Sequence, residues 1–162
     1  ILFAAAAAAG AEVAGANQTV IDAAHDYGLQ LGMAFQIMDD AMDYSLSSDA
    51  MGKNSGDDFL DQKITLPLII AYGDGTDAER DFWQRTIGDG AFADGDFDTA
   101  CSILDRYDAI DRSVTEAEKY AGAAAAALDR IADQTNTGQT SAITALLDAL
   151  SEAARFAAHR QN

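Results

Sequence analysis

Residues 28–45 read GLQLGMAFQIMDDAMDYS; a polar loop, MGKNSGDDFLDQK, follows at 51–63, and then TLPLIIAY at 65–72. The first of these stretches decides the fold class. Leu29, Leu31, Met33, Phe35, Ile37, Met38 and Met42 surround a helix that is mostly apolar on all sides, and such a helix is expected to be buried. Asp39, Asp40 and Asp43 fall within two turns of it. Asp39 and Asp43 are i,i+4 neighbours on one face, and Asp40 is i,i+3 to Asp43. Gln36 precedes the aspartates by one turn, and the stripe runs back through Gly32 and Gly28. Three like charges on an apolar rod repel one another, and each costs free energy to desolvate. A cation among the oxygens is the simplest way to keep them there.

Working outward, the pattern is helical almost throughout, with no sustained alternation of period two. Helices are expected at about 1–15, 18–46, 64–73, 77–87 and 97–107. Asn17 or Thr19 stands near the start of the second, and Pro67 lies near the start of the third, where proline is tolerated. Residues 47–62 read as an ordered loop carrying chemistry. Ser113-Val-Thr-Glu116 reads as a capping box opening a helix to about Thr135. Thr140 or Ser141 opens a last helix to about Ala158. The Ala runs at 4–9 and 123–127 favour helix, and small residues in the first 16 positions let neighbouring helices approach closely. The expected fold class is all-α, a helical bundle in a single partial domain over 1–162.

Composition narrows the function classes. The chain of 162 residues carries 10 Lys and Arg against 27 Asp and Glu, a net charge of −17. That charge argues against nucleic acid and anionic membrane as partners. Residues 1–16 are apolar but short, and Glu12 interrupts them, so no transmembrane segment is expected. Cys101 is the lone cysteine, which excludes a disulfide framework and fits a cytoplasmic location. Asp94, Asp96, Asp98 and Asp105 have the spacing of a calcium loop, but Thr99 takes the glycine position and Asp105 the glutamate position. They are read as a loop leading into a helix.

Mg²⁺ prefers oxygen ligands, keeps several waters, and takes one or two carboxylates plus substrate phosphates. Asp39, Asp40 and Asp43 suit a metal-bridged polyphosphate better than an all-protein cage. Lys53 and Lys63, two of only three lysines, lie on or beside the following loop and are candidates to clamp phosphate oxygens. Gly52 and Gly56 let the loop backbone approach a ligand. His25 reads as structural.

F-Q-x-x-D-D-x-x-D at 35–43 resembles the second aspartate-rich motif of the trans-prenyltransferases, the polyprenyl diphosphate synthases. Gly52-Lys53, Gly56-Asp57-Asp58, Lys63 and Thr65-Leu66-Pro67-Leu68 match that family in order and spacing. A weaker similarity continues from about Tyr120 to Arg155. Gln62 departs from the pattern, since members commonly carry glycine before the lysine. The resemblance implies a bundle of the isoprenoid synthase type, and an enzyme that condenses isopentenyl diphosphate with an allylic diphosphate. It implies Mg²⁺ held by Asp39 and Asp43 with support from Asp40, and diphosphate contacts from Lys53 and Lys63. Gln36 and Phe35 would line the reacting centre, with Phe35 shielding a developing carbocation. A homodimer is expected by the same analogy.

The family has two aspartate-rich motifs on facing helices, and this chain shows one. The expectation is therefore a carboxy-terminal half, inactive as a synthase when alone. Three alternatives stay open at this level: a non-catalytic partner subunit of a heteromeric prenyltransferase, a terpene cyclase-like protein, and an acidic helical binding module.

Overall fold

The computed structural model describes residues 1–44, 56–135 and 141–158; of 135, 141–144, 146, 147, 154 and 158 the backbone alone is described. The described residues are helical and contain no strand. They form two compact units, one of residues 1–38 with 116–162 and the other of residues 39–115. No helix among the described residues is long and apolar enough to cross a membrane.

The first unit contains α1 (Leu2–Val13), most of α2 (Gln18–Asp43), the greater part of α7 (Ala109–Thr135) and α8 (Ser141–Ala158). Asn17 Oδ1 accepts from the Val20 N–H at 3.1 Å and opens α2 as the sequence predicts. Small residues set the packing. A β-carbon at Gly28 would fall on the Phe3 carbonyl and lie 2.8 Å from Ala4 Cα, so α1 presses its backbone directly onto α2 there. The glycine stripe running back from Gln36 is thus an inter-helix contact. Tyr27, Ala124, Ala127 and Leu128 form one core cluster, and Ala34, Ala121 and Ala157 another. The Tyr27 hydroxyl donates to the Leu150 carbonyl at 2.9 Å and ties α8 to α2.

The second unit begins with the last turn of α2 and includes α3 (Asp57–Leu60), α4 (Leu66–Asp74), α5 (Asp77–Trp83), a π-helical turn (Gln84–Gly88) and α6 (Asp96–Arg106). Its core joins Phe59, Trp83, Leu68, Ala71, Ala100 and Leu104. Phe59 is 1% exposed and meets Trp83, Phe92 and Phe97 at ring-centre distances of 6.4, 5.3 and 5.9 Å. Trp83, Phe92 and Phe97 therefore converge on α3.

One local expectation is corrected. Ser113 does not cap a helix: α7 begins at Ala109, and the buried Ser113 hydroxyl bonds back to the Ala109 carbonyl at 2.7 Å. The chain is already helical when it reaches Ser113, so no orphan N–H awaits a cap. The capping box is at Thr76–Glu79, opening α5 after the break at Gly75. The spacing that resembled a calcium loop is also resolved. Asp96 receives both Arg85 guanidinium nitrogens at 2.8 Å and the Ala93 N–H at 2.7 Å, which makes it an ion-paired helix start.

Candidate functional site

The last turn of α2 carries the aspartates. Asp39 is exposed, and Asp40 and Asp43 are half-buried. Asp43 is held twice. Its carbonyl accepts from the Gly56 N–H at 3.0 Å, and its Oδ2 accepts from the Asp58 N–H at 2.9 Å. Gly56 has φ of 92°, and a β-carbon there would stand 2.7 Å from the Phe97 ring, so only glycine brings the chain back to α2 at this point. Phe59, locked in the core, fixes the far side of α3.

Asp58 then reaches Lys63. The Lys63 ammonium donates to Asp58 Oδ1 at 2.6 Å and lies 3.8 Å from Asp61, while the Lys63 N–H donates to the Asp58 carbonyl at 2.9 Å. Between them, Gln62 adopts φ of 57°. This left-handed position is the one where the sequence departs from the family's glycine, and a non-glycine residue is strained there. Lys63 is thereby joined to Asp58, the residue whose N–H bonds Asp43.

Charge accumulates around Asp43. Burial holds its carboxyl above the usual carboxylate range, the hydrogen bond from the Asp58 N–H opposes this, and Asp58 and Asp57 add repulsion. The Asp58 carboxylate raises the Lys63 ammonium above its ordinary value. Among the described residues, no three or more His, Cys, Asp or Glu side chains form a group that could hold a metal. The donor set does fit Mg²⁺ completed by substrate oxygens and water: hard carboxylate oxygens at Asp39 and Asp43, with excess negative charge at the second.

The remaining candidates are placed as follows. Gln36 is exposed on α2, one turn before the aspartates. Phe35 is half-buried; its ring lies 5.8 Å from that of Phe3 at 36° and packs on the Ala34 cluster. Lys53 and Gly52 fall outside the described residues. A separate cavity of about 490 Å³ is lined by Tyr44, Cys101, Asp98, Asp105 and Asp108 among others, and by none of Asp39, Asp40 or Asp43.

The sequence placed Asp58 within the Gly56-Asp57-Asp58 motif without its grip on Lys63; the i,i+5 spacing across a turn gave no periodic signal. Sequence reasoning also missed Glu79. That buried carboxylate accepts from the Thr76 N–H and hydroxyl at 2.8 Å and from the Tyr107 hydroxyl at 2.7 Å, and it pairs with Arg106. The Thr76-x-x-Glu79 pattern was the available signal.

A family model described as polyprenyl synthetase matches residues 1–104. This chain belongs to the polyprenyl synthetase family. Over 128 residues it is 35% identical to an octaprenyl diphosphate synthase of Haemophilus influenzae, covering 79% of this chain and 39% of the relative. Two solved structures superpose at a TM-score of 0.83. One is a polyprenyl synthase from Caulobacter crescentus complexed with calcium and isoprenyl diphosphate, at 39% identity. The other is a decaprenyl diphosphate synthase from Rhodobacter capsulatus, at 33% identity. Each covers 99% of this chain, which in turn covers 46% of each. The chain thus spans less than half the length of these relatives.

Proposed function

We propose that this chain forms part of a polyprenyl diphosphate synthase that joins isopentenyl diphosphate to an allylic diphosphate with the help of Mg²⁺. One observation carries the reading. Gly56 and Asp58 bond back to Asp43 at the end of α2, and Asp58 pairs with Lys63, in the family's order of motifs. The Caulobacter relative, described in complex with calcium and isoprenyl diphosphate, supports a divalent cation and a diphosphate as ligands.

In this reading Asp39 and Asp43 hold Mg²⁺, with Asp40 in support. Bound there, Mg²⁺ supplies neutralisation of the negative charge that grows as diphosphate leaves. Lys53 and Lys63 donate to phosphate oxygens. Phe35 presents an aromatic face toward the allylic cation, and Gln36 orients the reacting end. The second substrate's double bond attacks that cation, and the proton is lost to the departing diphosphate. Neither His25 nor His159 is needed as a base. All 162 residues belong to one partial helical domain, and the protein acts as a cytoplasmic homodimer.

The test is a condensation assay with radiolabelled isopentenyl diphosphate, an allylic diphosphate and Mg²⁺. The full-length gene product is expected to form elongated product, and residues 1–162 alone none. No turnover by the full-length protein would sink the synthase reading, and turnover by residues 1–162 would sink the view of them as an incomplete catalyst.

A further inference from the structure

We infer that Asp58 is a positioning residue that holds the Lys63 ammonium in register with the Asp43 carboxylate. This rests on the synthase reading above and adds a residue to it. Asp58 uses three groups for the purpose. Its N–H donates to Asp43 Oδ2 at 2.9 Å, its carbonyl accepts the Lys63 N–H at 2.9 Å, and its Oδ1 accepts the Lys63 ammonium at 2.6 Å. Lys63 is therefore clipped at both its backbone and its side-chain end, and the same residue grips the aspartate that ends α2.

The burial of the two partners is unequal. The Asp58 side chain is 12% exposed and that of Lys63 is 54% exposed. A carboxylate this far from water needs a charged partner, whereas the ammonium keeps donors turned to solvent. Lysine has three N–H donors, and Asp58 takes one. Those left over can meet phosphate oxygens while the first fixes where the head group stands. α3 is rigid enough to serve as the mount: Phe59 locks it from the core side, and Gly56 returns it to α2. An exposed ion pair made only for stability would be worth little. A pair that fixes the spacing between a metal-binding carboxylate and a phosphate-binding ammonium acts on ligand affinity instead.

The experiment is a mutant cycle in the full-length gene product. Mg²⁺-dependent binding of inorganic pyrophosphate is read by calorimetry, and KM and kcat for the allylic substrate are measured alongside. Asp58→Ala and Lys63→Ala are each expected to weaken pyrophosphate binding by about 10- to 100-fold, the range found for groups that orient ligating residues. The double variant is expected to be no weaker than Lys63→Ala alone, because Asp58 acts only through that ammonium. KM should rise more than kcat falls. Asp58→Asn, which retains an acceptor for Lys63 and preserves the fold if alanine does not, should give an intermediate loss. Unchanged pyrophosphate binding in folded Asp58 variants, or additive losses in the double variant, would overturn the inference and leave the synthase reading standing. Absence of Mg²⁺-dependent pyrophosphate binding by the wild-type protein would overturn both.

Discussion

Glu79 and Asp96 share a unit with Asp43 and Asp58, and all four carboxylates are at least partly withdrawn from water, yet two opposite solutions are used. Glu79 is met by Arg106, the Tyr107 hydroxyl and the Thr76 cap; Asp96 is met by both arms of Arg85. The Thr76 N–H, then Tyr107 and the Thr76 hydroxyl, hold the Glu79 carboxyl down to about 2, and Arg85 holds Asp96 below its usual range. Asp43 receives a single backbone N–H, and its near neighbours Asp57 and Asp58 are themselves acidic. Burial first, and then those neighbours, push its carboxyl up. The first pair is neutralised within the protein and serves the fold. In the second group Lys63 pairs with Asp58, and Asp43 has no ion-pair partner of its own among the described residues.

Mutations can break this contrast. In the full-length gene product, Asp39→Asn or Asp43→Asn should cut condensation about a thousandfold, the ~4 kcal/mol scale of a lost metal-borne charge term. The metal-free Asp43→Asn protein should unfold at the same temperature as wild type or higher, because the amide still accepts from Asp58 and the repulsion is gone. A clear drop in its midpoint would mean that Asp43 is a structural carboxylate like Glu79.

The mount of the second group is tested by Phe59→Ala. Emptying this site should cost about 3–5 kcal/mol in chemical denaturation. Next in size, Thr76→Ala removes the cap that feeds Glu79 and should cost about 1 kcal/mol, with no effect on Mg²⁺-linked ligand binding. Of similar or smaller size, Gln62→Gly should gain about 0.5–1 kcal/mol, because the left-handed conformation is relieved at the cost of some chain entropy.

Acid titration separates the two sets by sign. Glu79 has a folded pKa of about 2 against an ordinary 4.5. Its contribution is present above about pH 4.5 and is lost as pH falls toward 2. Asp43 is raised above 3.8, so its contribution is present below that value and is lost as pH rises through its folded pKa. Glu79→Gln should flatten the acid limb of the stability curve, and Asp43→Asn should remove the opposing slope. Equal acid profiles for the two variants would erase the contrast.

Much of this was legible in the residues. The apolar rod from Gly28 to Asp43 announced α2, and the ordered motifs around it announced the family. What stayed hidden depended on partners distant in the chain. Gly28 read only as a continuation of the Gln36 and aspartate stripe, and its reason is the Phe3 backbone. Thr76-x-x-Glu79 and Ser113-x-x-Glu116 are the same pattern, and only the chain break at Gly75 makes the first a cap. The Asp58–Lys63 clip needs the left-handed turn at Gln62, which no side-chain periodicity encodes. Lys53, the other candidate ammonium, lies outside the described residues.

The most direct test is a crystal structure of the full-length gene product soaked with Mg²⁺ and a pyrophosphate analogue. Density for divalent ions bonded to Asp39 and Asp43 and bridged to the analogue, with Lys63 on its oxygens and still paired to Asp58, is the predicted result. Aspartates turned to bulk water without ions, and the analogue bound elsewhere, would contradict the account.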